Sequence, residues 1–248
     1  MFNKTLNALK KISAFLLICL LINACSKDVK ISFYEAHISQ TKNANIDINY
    51  LKAEGTKDVA KRINTAVEQF IGNETNLSDT PDKNATIAQA VTNFDNDYIA
   101  FKNQFEDTNQ IWEFTVDSEI SYQSAEVICM TLSSYTDTGG AHGNGQISFL
   151  NFNSQTGDLL KQKDIIKDVD GFKTLAETYF KNETKSRSDD ESIEDYFFGK
   201  GFQLPANIGF SDEGLVLLYN TYEIASYAQG VTEFTIPYSE AKPFLKVN

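Results

Sequence analysis

The sequence predicts an α+β fold in which helices pack on one face of antiparallel sheet. Segments of strand character and of helix character occur in separate blocks, without the regular alternation that marks parallel α/β folds. Apolar residues recur at every second position in some segments and at every third or fourth in others. The chain has 248 residues, of which 42% are hydrophobic, so a substantial core is available.

The first block predicts two strands followed by two helices. Ile46, Ile48 and Tyr50 alternate with polar residues, a period of two that places one face of a strand in a core. The period then changes to three and four, which predicts an amphipathic helix that ends at Gly72. A second helix carries an apolar stripe from Ile87 to Phe105. The predicted elements are strands at residues 30–39 and 46–51 and helices at about 59–70 and 85–105.

The second block predicts an antiparallel meander of three long strands. The alternation returns at Ile111, and a glycine-rich turn separates the second strand from the third. A helix follows, then short strands, then a terminal helix after Pro237. The predicted elements are strands from 111 onwards, 125–135 and 146–153, a helix at about 171–185, a short helix or turn at 193–198, strands at 208–210, 215–219 and 233–236, and a helix at 238–244.

The N-terminal segment has the pattern of an export signal. Residues 1–24 combine three lysines with an apolar run from Ile12 to Ile22, which is about half the ~20 residues that span a bilayer. The residues before Cys25 resemble a bacterial lipoprotein box, which implies cleavage after residue 24 and lipidation of Cys25. Each buried CH₂ of a lipid contributes about 0.8 kcal/mol to membrane anchoring. Residues 25–30 are then a lipidated tether.

The chain is strongly acidic, with a formal net charge of −12. Loss of residues 1–24, which carry lysines and no acids, makes the remainder more acidic still. The negative electrostatic field of such a chain repels nucleic acid and anionic lipid headgroups and favours a cationic partner. The alternative is that the acidity serves solubility alone. Cys129 lies in an apolar run and is predicted to be a core residue, because nothing near it in the sequence would lower its pKa.

The glycine-rich turn after the second meander strand is the first candidate site. Gly139, Gly140 and a further glycine allow unusual backbone conformations and close approach of another surface. Asp137 and His142 stand at the two ends of the turn, and a His–carboxylate pair is a candidate acid/base. The residues leave a second interpretation open, in which the glycines satisfy the turn and His142 closes it by hydrogen bonding.

The second candidate site is the segment from Tyr222 to Gly230. Tyr222 and Tyr227 stand on either side of small residues, in a turn that also contains Glu223. Tyrosines provide rigid amphipathic contact area, which suits a binding surface. A packed corner that stabilises the C-terminal strands is the other interpretation.

No metal or cofactor site is predicted. His37 and His142 are the only histidines, and they stand far apart in the sequence. The sequence has no Cys-x-x-Cys pair, acidic calcium loop, phosphate loop or dinucleotide fingerprint.

Several motifs in order carry a family resemblance. The motifs are the Gly139-Gly140-Ala141-His142 turn, 151–153 with 156–157, 164–166, 210–215 and the Tyr222-Glu223-Ile224-Ala225 segment. Together they resemble the extracellular domain shared by RsiV-type anti-sigma factors and the non-catalytic front part of PdaC-type peptidoglycan deacetylases. Ser226 stands where that family commonly has proline.

The resemblance implies an envelope protein with a PdaC-like N-terminal subdomain at 31–122 and an RsiV-like C-terminal subdomain at 123–248. One branch of that family senses lysozyme. Deacetylase chemistry is not implied, because the catalytic domain of such enzymes is a separate, later segment.

The leading hypothesis is a non-enzymatic, lipid-anchored envelope protein, periplasmic or at the cell surface. It would bind a lysozyme-like cationic protein or peptidoglycan through residues 137–144 and 222–227, and no nucleic acid. The competing hypothesis is an envelope glycan hydrolase or deacetylase-like enzyme in which His142 and Asp137 are the acid/base residues. A structural module that spaces other envelope components is the third.

Overall fold

A computed structural model describes residues 30–76, 78, 80–185 and 196–247 of the chain. The predicted signal peptide, Cys25 and the tether up to residue 29 lie outside these described residues. The main elements are β1 (Ile31–Gln40), β2 (Asn45–Gly55), α1 (Lys57–Asn73), α2 (Ile87–Gln104), β3 (Glu113–Gln123), β4 (Val127–Asp137), β5 (Asn144–Asn153), α3 (Gln162–Ile165), α4 (Val169–Lys185), β6 (Asn207–Phe210), β7 (Gly214–Tyr219), β8 (Thr232–Pro237) and α5 (Tyr238–Ala241). These elements confirm the α+β class.

The first sheet has five strands in the order β1-β2-β3-β4-β5. β1 and β2 pair antiparallel, and β3, β4 and β5 form the predicted antiparallel meander. β2 and β3 pair in parallel, over Asn45–Ile48 and Glu113–Val116. The sequence predicts antiparallel sheet, so this parallel pair differs from the prediction. Because α1 and α2 lie between these strands in the chain, the connection is long enough to return the chain to the same edge and direction.

The second sheet has the order β6-β7-β8 and is antiparallel throughout. Every residue of β7 is buried, which explains why its sequence is an unbroken apolar run instead of an alternating one. The core of this half is rich in aromatic rings. Phe180 of α4 contacts Tyr219 at 5.7 Å and Phe234 at 6.2 Å, both edge-on, a favourable geometry for aromatic pairs.

The two long N-terminal helices follow the predicted stripes, with one difference at an end. Thr86 caps α2, because its hydroxyl accepts a hydrogen bond from the Gln89 amide, and Phe94 and Tyr98 are buried as predicted. Phe105 was predicted to continue the buried stripe. The helix ends at Gln104, and Phe105 leaves it with φ −126 and ψ 66, so its side chain is 50% exposed.

Side-chain amides join the two sheets along β5. Asn207 accepts a hydrogen bond from the Phe149 amide and donates one to the Ile147 carbonyl, at 2.8 and 2.6 Å. Asn220 bonds both the amide and the carbonyl of Ile147, at 2.9 Å each. At residues 147–149 the outer edge of β5 is therefore satisfied by these asparagine side chains, while farther along Asn151 and Asn153 bond the backbone of Leu160 and Asp158.

The buried Cys129 confirms its prediction as a core residue. Its side chain is fully buried, and its sulfur accepts a hydrogen bond from the Phe210 amide at 3.3 Å. Burial raises the pKa of the Cys129 thiol, an effect that the hydrogen bonds from Phe210 and Ser121 oppose. A neutral thiol in this position is a packing residue.

The C-terminal elements agree with the sequence, with short turns in place of regular helix. The terminal helix consists of α5 and a 3₁₀ turn, Lys242–Phe244. A 3₁₀ turn occupies Phe197–Gly199, while residues 193–195 of the predicted short helix lie outside the described part. None of the helices in the described ranges has both the length and the apolar character needed to cross a membrane.

The predicted boundary between residues 122 and 123 falls inside β3, one residue before its end and shortly before β4. These two strands pair from Glu113 with Asp137 to Gln123 with Ile128, so the first sheet continues across this point. The division into two subdomains stays a prediction.

Candidate functional site

The glycine-rich turn joins β4 to β5 and is closed by Asp137. The Gly139 amide donates a hydrogen bond to Asp137 Oδ1 at 2.8 Å, and Gln110 Nε2 lies 3.5 Å from the same oxygen. Gly139 has φ +87, and a Cβ there would lie 2.9 Å from the Gln110 side chain. Gly140 has room for a side chain. Glycine is therefore required at Gly139 by conformation and contact, while Gly140 has no such constraint.

A third glycine of this turn lets an aromatic ring approach. A Cβ at Gly143 would overlap the Tyr135 hydroxyl, so the ring lies directly on the Gly143 backbone. The pKa of Tyr135 is raised, first by desolvation and then by the negative charges of Asp137 and Glu113. The turn thus lies in an acidic setting.

The tyrosine turn follows β7 and is held by its own polar side chains. The Asn220 amide donates a hydrogen bond to Glu223 Oε2 at 2.9 Å, and partial desolvation raises the pKa of Glu223 against the effect of that bond. The Gln229 side chain accepts hydrogen bonds from the Ser226 amide and hydroxyl, at 3.0 and 2.8 Å. Ser226 therefore supplies a capping contact at the position where the resembling family commonly has proline.

The two turns meet in an aromatic cluster formed by His142, Tyr222 and Tyr227. The His142 ring stacks on Tyr227 with centroids 3.8 Å apart and an interplanar angle of 17°. His142 Nε2 lies 3.2 Å from the Tyr222 hydroxyl, and the two tyrosine rings are 5.5 Å apart. Tyr222 and Tyr227 are 55% and 41% exposed, and His142 is exposed as well. The cluster joins two sites that the sequence treats as separate.

The hydrogen bonds of His142 indicate one tautomer of the neutral ring. Nδ1 lies 3.0 Å from the Gly143 carbonyl, which can only accept, so Nδ1 carries the proton. Nε2 then accepts from the Tyr222 hydroxyl. Nδ1 thereby holds the ring within its own turn, and Nε2 joins that turn to the tyrosine turn.

Asp137 and His142 do not form the predicted acid/base pair. Among the described residues, which include both, no hydrogen bond or ion pair joins their side chains. Asp137 Oδ1 is used by the Gly139 amide and Gln110, and His142 turns toward the tyrosines instead. The geometry corresponds to the second interpretation of the turn, in which its residues close it by hydrogen bonds.

Two features near the cluster were not found from the sequence. The Phe197 amide donates a hydrogen bond to the Ile224 carbonyl at 2.6 Å, which places the adjacent Phe198 beside the tyrosine turn. Phe198 is 67% exposed and has φ +52. Asn220 hydrogen-bonds to both Glu223 and β5. In the sequence, an asparagine after a strand indicates only a turn, where this residue is common.

Three further observations concern the described chain outside the aromatic cluster: a polar cleft, the search for a metal site and the second histidine. A polar cleft of about 640 Å³ lies between α1 and α2, lined in part by Asn73, Asn76 and Gln89, and it contains none of the predicted site residues. The described residues contain no group of three or more His, Cys, Asp or Glu side chains that could hold a metal ion. His37 pairs with Asp47 on the surface at 2.6 Å.

Comparisons with known proteins match the chain in two regions. Residues 38–145 match the family model described as deacetylase PdaC, and residues 158–239 match the model described as DUF3298, a protein of unknown function. The cluster takes His142 from the first region and Tyr222 and Tyr227 from the second. No curated protein shows a significant sequence match. The PdaC part of the resemblance is confirmed, and its RsiV-type part stays a prediction.

Two solved structures share the fold. A DUF3298-family protein from Bacteroides fragilis is 18% identical, with 88% of this chain and 94% of that chain covered and a TM-score of 0.66. A DUF3298-family protein from Pseudomonas aeruginosa is 19% identical, with coverage of 89% and 96% and a TM-score of 0.61. At these identities the likeness concerns the fold.

Proposed function

We propose that this chain is a lipid-anchored protein of the bacterial envelope that binds a ligand through the aromatic cluster and catalyses no reaction. The observation that carries the proposal is the stack of His142 on Tyr227, with Tyr222 bonded to the same imidazole. Three rings from two distant segments are held in one arrangement while the tyrosines remain exposed. An arrangement of this kind offers a rigid contact area at low entropic cost.

The charge around the cluster supports a cationic ligand. Asp137 and Glu113 lie close enough to raise the pKa of Tyr135, and Glu223 lies in the tyrosine turn. A Lys or Arg side chain placed over a tyrosine face gains a cation–π contact in addition to attraction by these carboxylates. A lysozyme-like protein is the proposed ligand of this class, and peptidoglycan is the alternative.

The absence of catalysis is proposed from the contacts of the two candidate acid/base residues. A His–carboxylate pair acts as one acid/base unit when the carboxylate contacts the imidazole, whereas Asp137 bonds the Gly139 amide and His142 contacts Gly143 and Tyr222. The anchoring is proposed from the export signal and from Cys25, as the sequence indicates.

A capture experiment tests the binding. Immobilised protein is exposed to lysozyme and, separately, to soluble peptidoglycan fragments at low salt. Tyr227→Ala is compared with Tyr34→Ala, which removes a tyrosine of similar exposure, 46%, from β1. We expect Tyr227→Ala to weaken capture about 10-fold or more and Tyr34→Ala to leave it unchanged. Capture of neither ligand, or an equal loss in both variants, would contradict the proposal.

A further inference from the structure

The first strand of the first sheet begins at Ile31, which lies at one end of the sheet. Ile31 opens β1 and pairs with Gly55, the last residue of β2. The side-chain amide of Gln123, the last residue of β3, donates a hydrogen bond to the Ile31 carbonyl at 3.3 Å. The end of the sheet formed by Ile31, Gly55 and Gln123 is here called the Ile31 end.

The aromatic cluster belongs to the opposite end. β3 begins at Glu113, which pairs with Asp137, the last residue of β4. His142 follows in the turn that leads to β5, and Tyr222 and Tyr227 contact it there. This is here called the His142 end. The 11 residues of β3 connect the two ends, and at 3.2–3.4 Å per residue they span about 33 Å.

The tether is short compared with that span. Five residues separate Cys25 from Ile31, and a fully extended chain covers at most about 3.3–3.6 Å per residue. A lipid on Cys25 therefore holds the Ile31 end within roughly 20 Å of the bilayer surface.

We propose that the anchored protein stands with its Ile31 end toward the bilayer and presents the aromatic cluster at its membrane-distal end. This inference rests on the proposed function, because it uses lipidation of Cys25 and a binding role for the cluster. The partner is then one that approaches through the aqueous space of the envelope, and lipid headgroups are not the ligand. The carboxylates of Asp137, Glu113 and Glu223 agree with this, since they repel an anionic membrane surface.

Energy transfer from the protein to the membrane tests the orientation. The lipidated full chain is reconstituted in phosphatidylcholine vesicles that carry acceptor dyes on their headgroups. One donor dye is attached to Glu54→Cys at the Ile31 end or to Asn144→Cys at the His142 end, both exposed positions. Cys129 is fully buried, which directs the label to the introduced cysteine. We expect transfer to be several-fold more efficient from position 54 than from position 144.

Equal or reversed efficiencies would overturn the proposed orientation while leaving ligand binding and lipidation intact. A Cys25→Ser control separates the two levels. If the unchanged chain binds vesicles no better than Cys25→Ser, lipidation itself is wrong, and the orientation falls with that part of the proposed function. Binding of lysozyme or peptidoglycan is measured separately and does not affect the transfer readout.

Discussion

Tyr222 combines a strained backbone with an exposed side chain. Its φ is +66, a left-handed conformation that costs a non-glycine residue about 1–3 kcal/mol. The ring is 55% exposed, so burial gives little in return. The visible benefit is the hydrogen bond of its hydroxyl to His142, which is a contact within the proposed binding surface.

Different substitutions of Tyr222 should therefore have different effects on stability but the same effect on ligand binding. We expect Tyr222→Gly to be more stable than Tyr222→Ala by about 1 kcal/mol, because glycine adopts positive φ without strain. Both variants should lose ligand capture. Urea unfolding measures the difference, and the matched pair at Tyr34, a strand residue, should show the opposite order, with glycine less stable than alanine. Equal stability of the two Tyr222 variants would contradict the strain.

Glu74 is a partly buried acid that the proposed function does not use. It follows α1 and accepts a hydrogen bond from the Ser134 hydroxyl of β4. Burial raises its pKa, and the Ser134 hydrogen bond opposes the rise. A raised pKa in the folded state means that the folded protein holds this proton more tightly than the unfolded chain does.

The sign of the pH dependence follows from that difference. The contribution of Glu74 to the free energy of unfolding is fully present below the ordinary glutamate pKa of about 4.3. It is lost as the pH rises through the raised pKa of the folded state. Glu74→Gln, a mimic of the protonated form, should have a higher melting temperature than the unchanged protein at pH 7 and nearly the same one at about pH 4. The exposed Glu54→Gln is the control. A difference that grows toward acid pH would refute the assignment.

At the scale of elements, the joint between the sheets depends on asparagines. Asn207 and Asn220 together satisfy the amides of Ile147 and Phe149 and the carbonyl of Ile147 on the outer edge of β5. Asn151 returns a hydrogen bond from β5 to the Ile208 carbonyl at 2.7 Å. The same Asn220 holds the tyrosine turn, so the joint also positions the cluster.

Loss of Asn207 should weaken the fold more than an asparagine usually does. Asn207→Ala leaves the partly buried Phe149 amide without its partner and the Ile147 carbonyl with Asn220 alone, and we expect a loss of about 1–3 kcal/mol in unfolding free energy. Faster hydrogen exchange at the Phe149 amide should accompany it. Asn144→Ala, at an exposed position of the same strand, should change stability by less than about 0.5 kcal/mol. Similar losses in both would contradict the proposed joint.

At the scale of the whole molecule, charge and aromatic contact have different kinetic effects. The net charge of −12 acts at a distance and would steer the proposed cationic partner, whereas the aromatic cluster would act only on contact. Charges beside the cluster should therefore influence association, and the rings should influence dissociation.

Surface plasmon resonance with lysozyme distinguishes these effects. Glu113→Gln at the His142 end should lower the association rate and its dependence on salt, while Tyr227→Ala should mainly raise the dissociation rate. Glu54→Gln removes the same charge at the Ile31 end and should change the association rate less. The association rate itself should fall as salt shortens the Debye length below about 10 Å. Binding that does not respond to salt would contradict electrostatic steering.

The local pattern of the chain was enough to predict most elements. Strand periodicity placed β2, β3 and β5, and helical periodicity placed α1, α2 and α4, because these patterns express which side of each element is buried. The parallel pairing of β2 with β3 was missed, since pairing partners are chosen by the path of the chain and not by its local period. The end of α2 at Gln104 was missed for a similar reason, because Phe105 continues the apolar spacing although the backbone turns away.

Local sequence patterns were enough to predict the α+β class, the acidity, the glycine turn around His142 and the tyrosine turn around Tyr227. The folded arrangement was needed to show that these turns meet, that His142 faces Tyr222 and Tyr227 instead of Asp137, and that they lie at the end of the sheet opposite Ile31. The difference is one of range along the chain. Turn geometry and burial depend on neighbouring residues, whereas contact between segments some eighty residues apart depends on how two sheets pack.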